Sequence, residues 1–214
     1  MAKIQMIEPK FGQKIIDSAI ELQNKYPRVE QRAPIGADIF VFIYPIFLIT
    51  LYLHGMIKKN LEEKQGGLFI LFSAIFSVLI NILTQTFFVK ERPINLLSGV
   101  ELEETILHQF LPPSSFPSDH AAVSMSVAIA TMIRGHKTKN KYLIGFSYFL
   151  IFIAIIMGIC RVITIVHRPT DILGGFTIGI FVPLLLAQEP ILKRLKKWII
   201  NPLIKFQERI YQPK

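Results

Sequence analysis

Cys160-Arg161-Val162-Ile163-Thr164-Ile165-Val166-His167-Arg168-Pro169-Thr170-Asp171 joins two apolar runs, 142–160 and 170–189. Crossing a hydrocarbon core takes about 17–25 residues of helix, and both runs meet that length. The join sets an arginine, a histidine and an aspartate at the membrane edge. Working outward, three earlier runs have the same character, near 37–57, 68–89 and 118–134. The expected fold is therefore all-α: a polytopic membrane helical bundle of about five transmembrane helices. With 51% hydrophobic and only 18% charged residues, and a mean hydropathy of +0.45, the chain is too apolar for a soluble domain.

Both ends differ from the middle. In residues 1–36, Phe11, Ile15, Ile16, Ala19 and Leu22 recur at spacings of three and four, opposite Lys10, Lys14, Asp17 and Glu21. That pattern predicts an amphipathic interfacial helix, broken by Pro27, Pro34 and Gly36 before the first span. Residues 37–190 form the membrane domain. Residues 191–214 form a basic amphipathic tail in which Ile191, Leu192, Leu195, Trp198 and Ile199 alternate with Lys193, Arg194, Lys196 and Lys197. The 118–134 run is the least greasy. Its Ala121, Ala122, Ser124, Ser126, Ala128 and Ala130 suit close helix packing, as do Gly175 and Gly179 in the last run.

The net charge of +9 points to membrane lipids as partners and not to nucleic acid, because the basic residues flank the spans. Lys58, Lys59 and Lys64, then Arg134, Lys137, Lys139 and Lys141, then the basic tail, place most of the Lys and Arg on one side. That side is expected to be cytoplasmic. With five spans, two of which separate them, the 90–117 and 161–169 connections must share the opposite side, and the third span begins there too. Arg92, Ser118, His120, Arg161, His167 and Asp171 should therefore share one face of the membrane.

These residue types suit an anionic ligand. Arg92 and Arg161 carry planar forks for phosphate or carboxylate oxygens. Ser118 sits where a helix N-terminus offers free N–H groups. His167 and Asp171 are four apart, so the carboxylate is expected to accept one imidazole N–H and leave the other nitrogen as nucleophile or base. His120 supplies a second imidazole. Two histidines of this kind can carry out phosphoryl transfer without a metal. No metal or cofactor is expected, the nearest acidic cluster being Glu101, Glu103 and Glu104. The single cysteine, Cys160, permits no internal disulfide and reads as a small packing residue.

The three polar stretches together resemble the type 2 phosphatidic acid phosphatase superfamily. They read Gln85…Arg92-Pro93, Pro117-Ser118-Asp119-His120 and Cys160-Arg161…His167…Asp171, and the resemblance covers about 68–189. It implies a helical membrane bundle that hydrolyses a phosphate ester or anhydride without metal. It further implies His167 as the nucleophile, forming a phosphohistidine, with Asp171 orienting it and His120 as general acid. Arg92, Arg161 and Ser118 would hold the phosphoryl group, with Gln85 and Lys90 as further phosphate-binding candidates.

Three positions depart from the family pattern: Gln85 stands for a lysine, Asp119 for a glycine and Cys160 for a serine. Ser115-Phe116-Pro117-Ser118-Asp119-His120, with His108 upstream, is similar to the branch acting on undecaprenyl diphosphate. The implied substrate is a lipid-linked phosphate or diphosphate, at the outer face of a bacterial cytoplasmic membrane. The alternatives are a phosphatidic acid, phosphatidylglycerophosphate or lipid A phosphatase or phosphotransferase, and a non-enzymatic lipid-phosphate binder or translocator.

Overall fold

A computed structural model describes residues 4–93 and 114–211. Glu101, Glu103, Glu104 and His108 lie outside the described residues. The chain is a helical bundle. Helix α1 (Lys10–Lys25) leads into α2 (Pro27–Ile39), and one 3-10 turn joins α2 to α3 (Ile43–Ile57). Helices α4 (Leu61–Phe87), α5 (Asp119–Lys137), α6 (Lys141–Ile163) and α7 (Pro169–Leu186) follow. The tail holds α8 (Glu189–Leu195), a π-turn and α9 (Asn201–Tyr211). Two short strands, β1 (Ile4–Gln5) and β2 (Phe88–Val89), pair in parallel.

Among the described residues, four helical segments are long and apolar enough to cross a membrane: Phe40–Ile57, Leu61–Phe87, Lys141–Ile163 and Pro169–Leu186. The expected third span, α5, falls short of that apolarity. The reason is its position, packed against α4, α6 and α7 at once. Ala121, Ala122, Ser124, Ser126, Ala128 and Ala130 are all buried, so α5 meets helices where the others meet lipid. The outward faces of the neighbouring spans stay apolar and exposed, for example at Ile49, Leu83, Phe152 and Phe181.

Gly175 and Gly179 do bring α7 onto α5. A Cβ at Gly175 would lie 2.5 Å from the Ser118 carbonyl oxygen, and one at Gly179 would lie 2.5 Å from that of Ala122. Between α3 and α6 the buried Tyr44 hydroxyl donates to the Leu150 carbonyl at 3.0 Å. Burial in this way leaves no polar group of Tyr44 unmatched.

Both termini dock on the bundle. Helix α1 buries Ile16 and Ala19, and its Gln23 amide donates to the Ile163 carbonyl at the end of α6, 2.6 Å away. The break falls at Tyr26–Pro27 alone. Helix α2 runs through Pro34 and Gly36, contrary to the expectation of a break there. Gly36 serves close packing instead, since a Cβ on it would meet Cys160 Sγ at 3.0 Å. In the tail, Leu195, Ile200 and Ile204 join the core, while Trp198 and Phe206 face outward.

The two turns on the side away from the site share a construction that the sequence did not announce. Asn60 N–H donates to the Gly55 carbonyl and Lys59 N–H to that of Met56; Asn140 and Lys139 repeat this with Gly135 and His136. Each is a Schellman end with its left-handed residue at lysine, Lys59 at φ 51° and Lys139 at φ 53°. Each asparagine side chain then caps the next helix. Replacing both lysines by glycine (K59G, K139G) is expected to stabilise the fold by about 1 kcal/mol per site. The thermal midpoint in detergent checks this.

Candidate active site

The polar stretches meet at one end of the bundle. Chain ends are stitched there by the buried Ser114 hydroxyl, which accepts the Lys90 N–H at 3.2 Å and donates to the Phe88 carbonyl at 2.8 Å. Ser115 N–H donates to the Lys90 carbonyl at 2.7 Å. The start of α5 is tied to α7 by the Ser118 N–H, which donates to the Asp171 carbonyl at 3.0 Å. Between α6 and α7, the His167 N–H closes the loop on the Arg161 carbonyl at 3.2 Å. That loop passes through Ile165 at φ 59°, a left-handed conformation that a β-branched residue enters only under strain.

His167 is 4% exposed, and its ring is fixed by a partner the sequence did not indicate. Nδ1 lies 3.0 Å from the Ser115 carbonyl, to which it donates, so the lone pair sits on Nε2. Asp171 does not take that proton. Its nearest oxygen is 3.7 Å from Nδ1, beyond hydrogen-bonding reach. The carboxylate is already committed: Oδ2 accepts the Arg168 N–H at 2.8 Å and Oδ1 accepts from Lys90 Nζ at 2.8 Å. Asp171 therefore acts on His167 through its charge. Burial pushes the His167 imidazole below its ordinary pKa; Asp171 opposes this, and the charges of Arg92 and Arg161 add to it.

His120 and Arg161 face each other, with Arg161 Nη2 2.5 Å from His120 Nε2. A guanidinium only donates, so this imidazole nitrogen is the acceptor. Arg92 is half-buried at the same place and feels the carboxylates of Asp119 and Asp171. Ser118 is fully buried, and its hydroxyl has no hydrogen-bond partner among the described residues. Such an orphan costs about 1–3 kcal/mol, and it sits at the N-terminus of α5, where an anion would be stabilised. Ser118→Ala is expected to raise the thermal midpoint by relieving that cost. It should lower activity about a hundredfold to a thousandfold, as loss of one oxyanion donor does. Paired melting and activity measurements check the opposed signs.

Two phosphate-binding candidates turn to protein partners instead. The Gln85 amide donates to the Pro117 carbonyl at 3.0 Å and to Asp119 Oδ1 at 3.2 Å. Asn81 makes the same two contacts at 3.0 and 2.6 Å. The departures at 85 and 119 are thus two sides of one contact: Asp119 brings a carboxylate, and the two amides neutralise its acceptor capacity. Lys90 is 3% exposed and spends its ammonium on Asp171, Thr170 and Glu8. Arg168 is buried with a guanidinium N–H on the Glu91 carbonyl. The Ser115 carbonyl, Thr170 and Glu8 were not found by sequence reasoning. Each acts through a contact between distant segments, which local spacing does not record.

Residues 66–190 match a family model described as the PAP2 superfamily. A curated relative is Undecaprenyl-diphosphatase BcrC of Bacillus subtilis (strain 168), 25% identical over 185 residues, which cover 82% of each chain. No solved structure matches this chain.

Proposed function

Because this chain belongs to the PAP2 superfamily, we propose that it is a membrane phosphatase that hydrolyses a lipid-linked diphosphate through a phosphohistidine at His167. Undecaprenyl diphosphate is the substrate we favour, as the name of the relative Undecaprenyl-diphosphatase BcrC suggests. The observation that carries the reading is the fixed ring of His167. Its Nδ1 is held by the Ser115 carbonyl, so the lone pair is on Nε2, in a ring that feels the charges of Arg92 and Arg161.

The chemistry follows from these groups. His167 Nε2 attacks the terminal phosphorus, and the bond to the bridging oxygen breaks. Arg92, Arg161 and Ser118 hold the three outer oxygens as charge moves onto them. An incoming phosphoryl oxygen offers Arg161 an anionic acceptor in place of His120 Nε2. His120 Nε2, released from Arg161, takes up a proton from solvent, and the imidazolium gives that proton to the leaving lipid phosphate. In the second step water attacks phosphorus, the P–N bond breaks, and His120 accepts the water proton. Inorganic phosphate leaves and His167 is regenerated. The contacts of Gln85 to Pro117 and Asp119 give it a structural role, which weighs against the non-enzymatic binder that its missing charge favours.

Helix ends of this kind suit an interface: phosphates sit at the bundle end while the lipid tail stays in the bilayer. The basic turns and tail favour an orientation with the site outside the cytoplasm. Phosphate release by purified protein in detergent tests the reading, using polyprenyl diphosphate, phosphatidic acid and phosphatidylglycerophosphate in parallel. The expected result is release fastest from the diphosphate and retained with chelator present. Faster release from either glycerolipid overturns the substrate, and loss with chelator overturns the mechanism.

A further inference from the structure

The N-terminal segment before α1 reaches the back of the site. Gln5 and Ile4 pair with Val89 and Phe88, and Met6 N–H donates to the Val89 carbonyl at 3.0 Å. This strap delivers Glu8, whose side chain is 5% exposed. Glu8 Oε2 lies 2.5 Å from Lys90 Nζ and accepts the Thr170 hydroxyl at 2.5 Å. Lys90 Nζ also donates to Thr170 Oγ1 at 2.5 Å and to Asp171 Oδ1 at 2.8 Å. Gly12 makes room for the carboxylate, since a Cβ there would fall 1.7 Å from Glu8 Oε1.

We infer that Glu8 is a positioning residue that keeps the negative charge of Asp171 available to His167. The inference rests on the phosphohistidine reading above. Its physical basis is the charge count of a buried cluster. Lys90 touches Asp171 directly, and with those two alone the ammonium would cancel the carboxylate that His167 feels. Glu8 adds a second carboxylate to the same ammonium, so less of the Asp171 charge is cancelled; the Arg168 guanidinium, which lines the same cavity, is held on the Glu91 carbonyl. In a buried site such a difference acts with little screening. It matters at one step: when Nε2 bonds to phosphorus while Nδ1 keeps its proton, the imidazole ring becomes cationic. The Asp171 charge left uncancelled behind the ring stabilises that cation. The cationic groups Arg92 and Arg161, in front, oppose it, and His120 is held against Arg161 on the same side.

The test is Glu8→Gln, which keeps shape and hydrogen-bonding capacity while removing the charge. Phosphate release is expected to fall about tenfold, and the acid limb of kcat/KM should move to lower pH, because protonated His167 loses support. Gly12→Ala, which displaces the carboxylate without deleting it, should reproduce both changes. The double variant Glu8→Gln with Lys90→Met restores an uncancelled Asp171 and is expected to recover the acid limb; a strap that serves only to brace the fold predicts additive loss. The His167 imidazole titration, followed by NMR in wild type and Glu8→Gln, reads the same shift without turnover. Should wild-type protein release no phosphate, the functional reading falls while this titration still decides the role of Glu8. An unchanged His167 titration in Glu8→Gln, or an unchanged acid limb, overturns the inference.

Discussion

His167→Asn is expected to lower phosphate release by at least about 10⁴-fold, the scale for removing a covalent nucleophile, with a thermal midpoint close to wild type. Asparagine is the informative replacement. Its amide N–H reaches toward the position of Nδ1, so the contact with the Ser115 carbonyl is preserved. What it lacks is a nitrogen lone pair where Nε2 stands. Loss of activity with the fold intact therefore assigns the nucleophile and not the scaffold. The pH profile adds a second reading of the same residue. Burial, with Arg92 and Arg161 close by, holds His167 below its ordinary value, which is about 6.5. As pH falls the imidazole protonates and the lone pair is lost. Since the group is depressed, the acid limb of kcat/KM should lie on the acid side of that ordinary value. A limb above it contradicts the assignment.

Gly175→Ala should cost about a hundredfold in activity and about 1–3 kcal/mol in stability. The new methyl would lie 2.5 Å from the Ser118 carbonyl oxygen and 2.7 Å from Ala121 Cβ, where the obstacle includes backbone that cannot rotate aside. Helix α7 must move off α5. Asp171 rides on α7 and Ser118 on the start of α5, and they share the bond from Ser118 N–H to the Asp171 carbonyl. Separating the helices by about an ångström therefore shifts the nucleophile loop against the phosphate cradle, a displacement that near-attack geometry does not tolerate. Gly145→Ala in α6 is the matched control. Nothing lies within 4 Å of a Cβ there, so activity should hold and the helix should gain a little in propensity. Activity in purified protein and melting in detergent check both variants.

The membrane bundle was readable because it depends on composition and period, which a chain carries locally. The convergence of Arg92, His120 and His167 was readable because two crossings, α5 and α6, separate their connections and return the chain to the same end. Arg161 meeting His120 and His167 meeting the Ser115 carbonyl are the contacts that this convergence makes possible. Which groups then pair was not readable. Asp171, four residues after His167, is at the right spacing to bond it, yet the helix-capping bond from the Arg168 N–H and the Lys90 ammonium claim its oxygens first. Competition of that kind is settled only when distant segments arrive, as Glu8 does at Lys90. The same holds for Gln85. Whether an amide there meets a ligand or the chain depends on Asp119, whose carboxylate accepts from it. Helix α5 shows the converse: its alanines and serines gave its packing role directly, while its low hydropathy hid how completely its neighbours surround it.

The central claim is a covalent phosphate on His167, and trapping it tests that claim most directly. Purified protein would be mixed with polyprenyl diphosphate carrying radioactive phosphorus at the terminal position, denatured within one turnover, and assayed for protein-bound label. The expected label survives alkali and is released by acid, as a phosphoramidate is, and is absent from His167→Asn. Label that resists acid, or that persists when His167 is replaced, would contradict it.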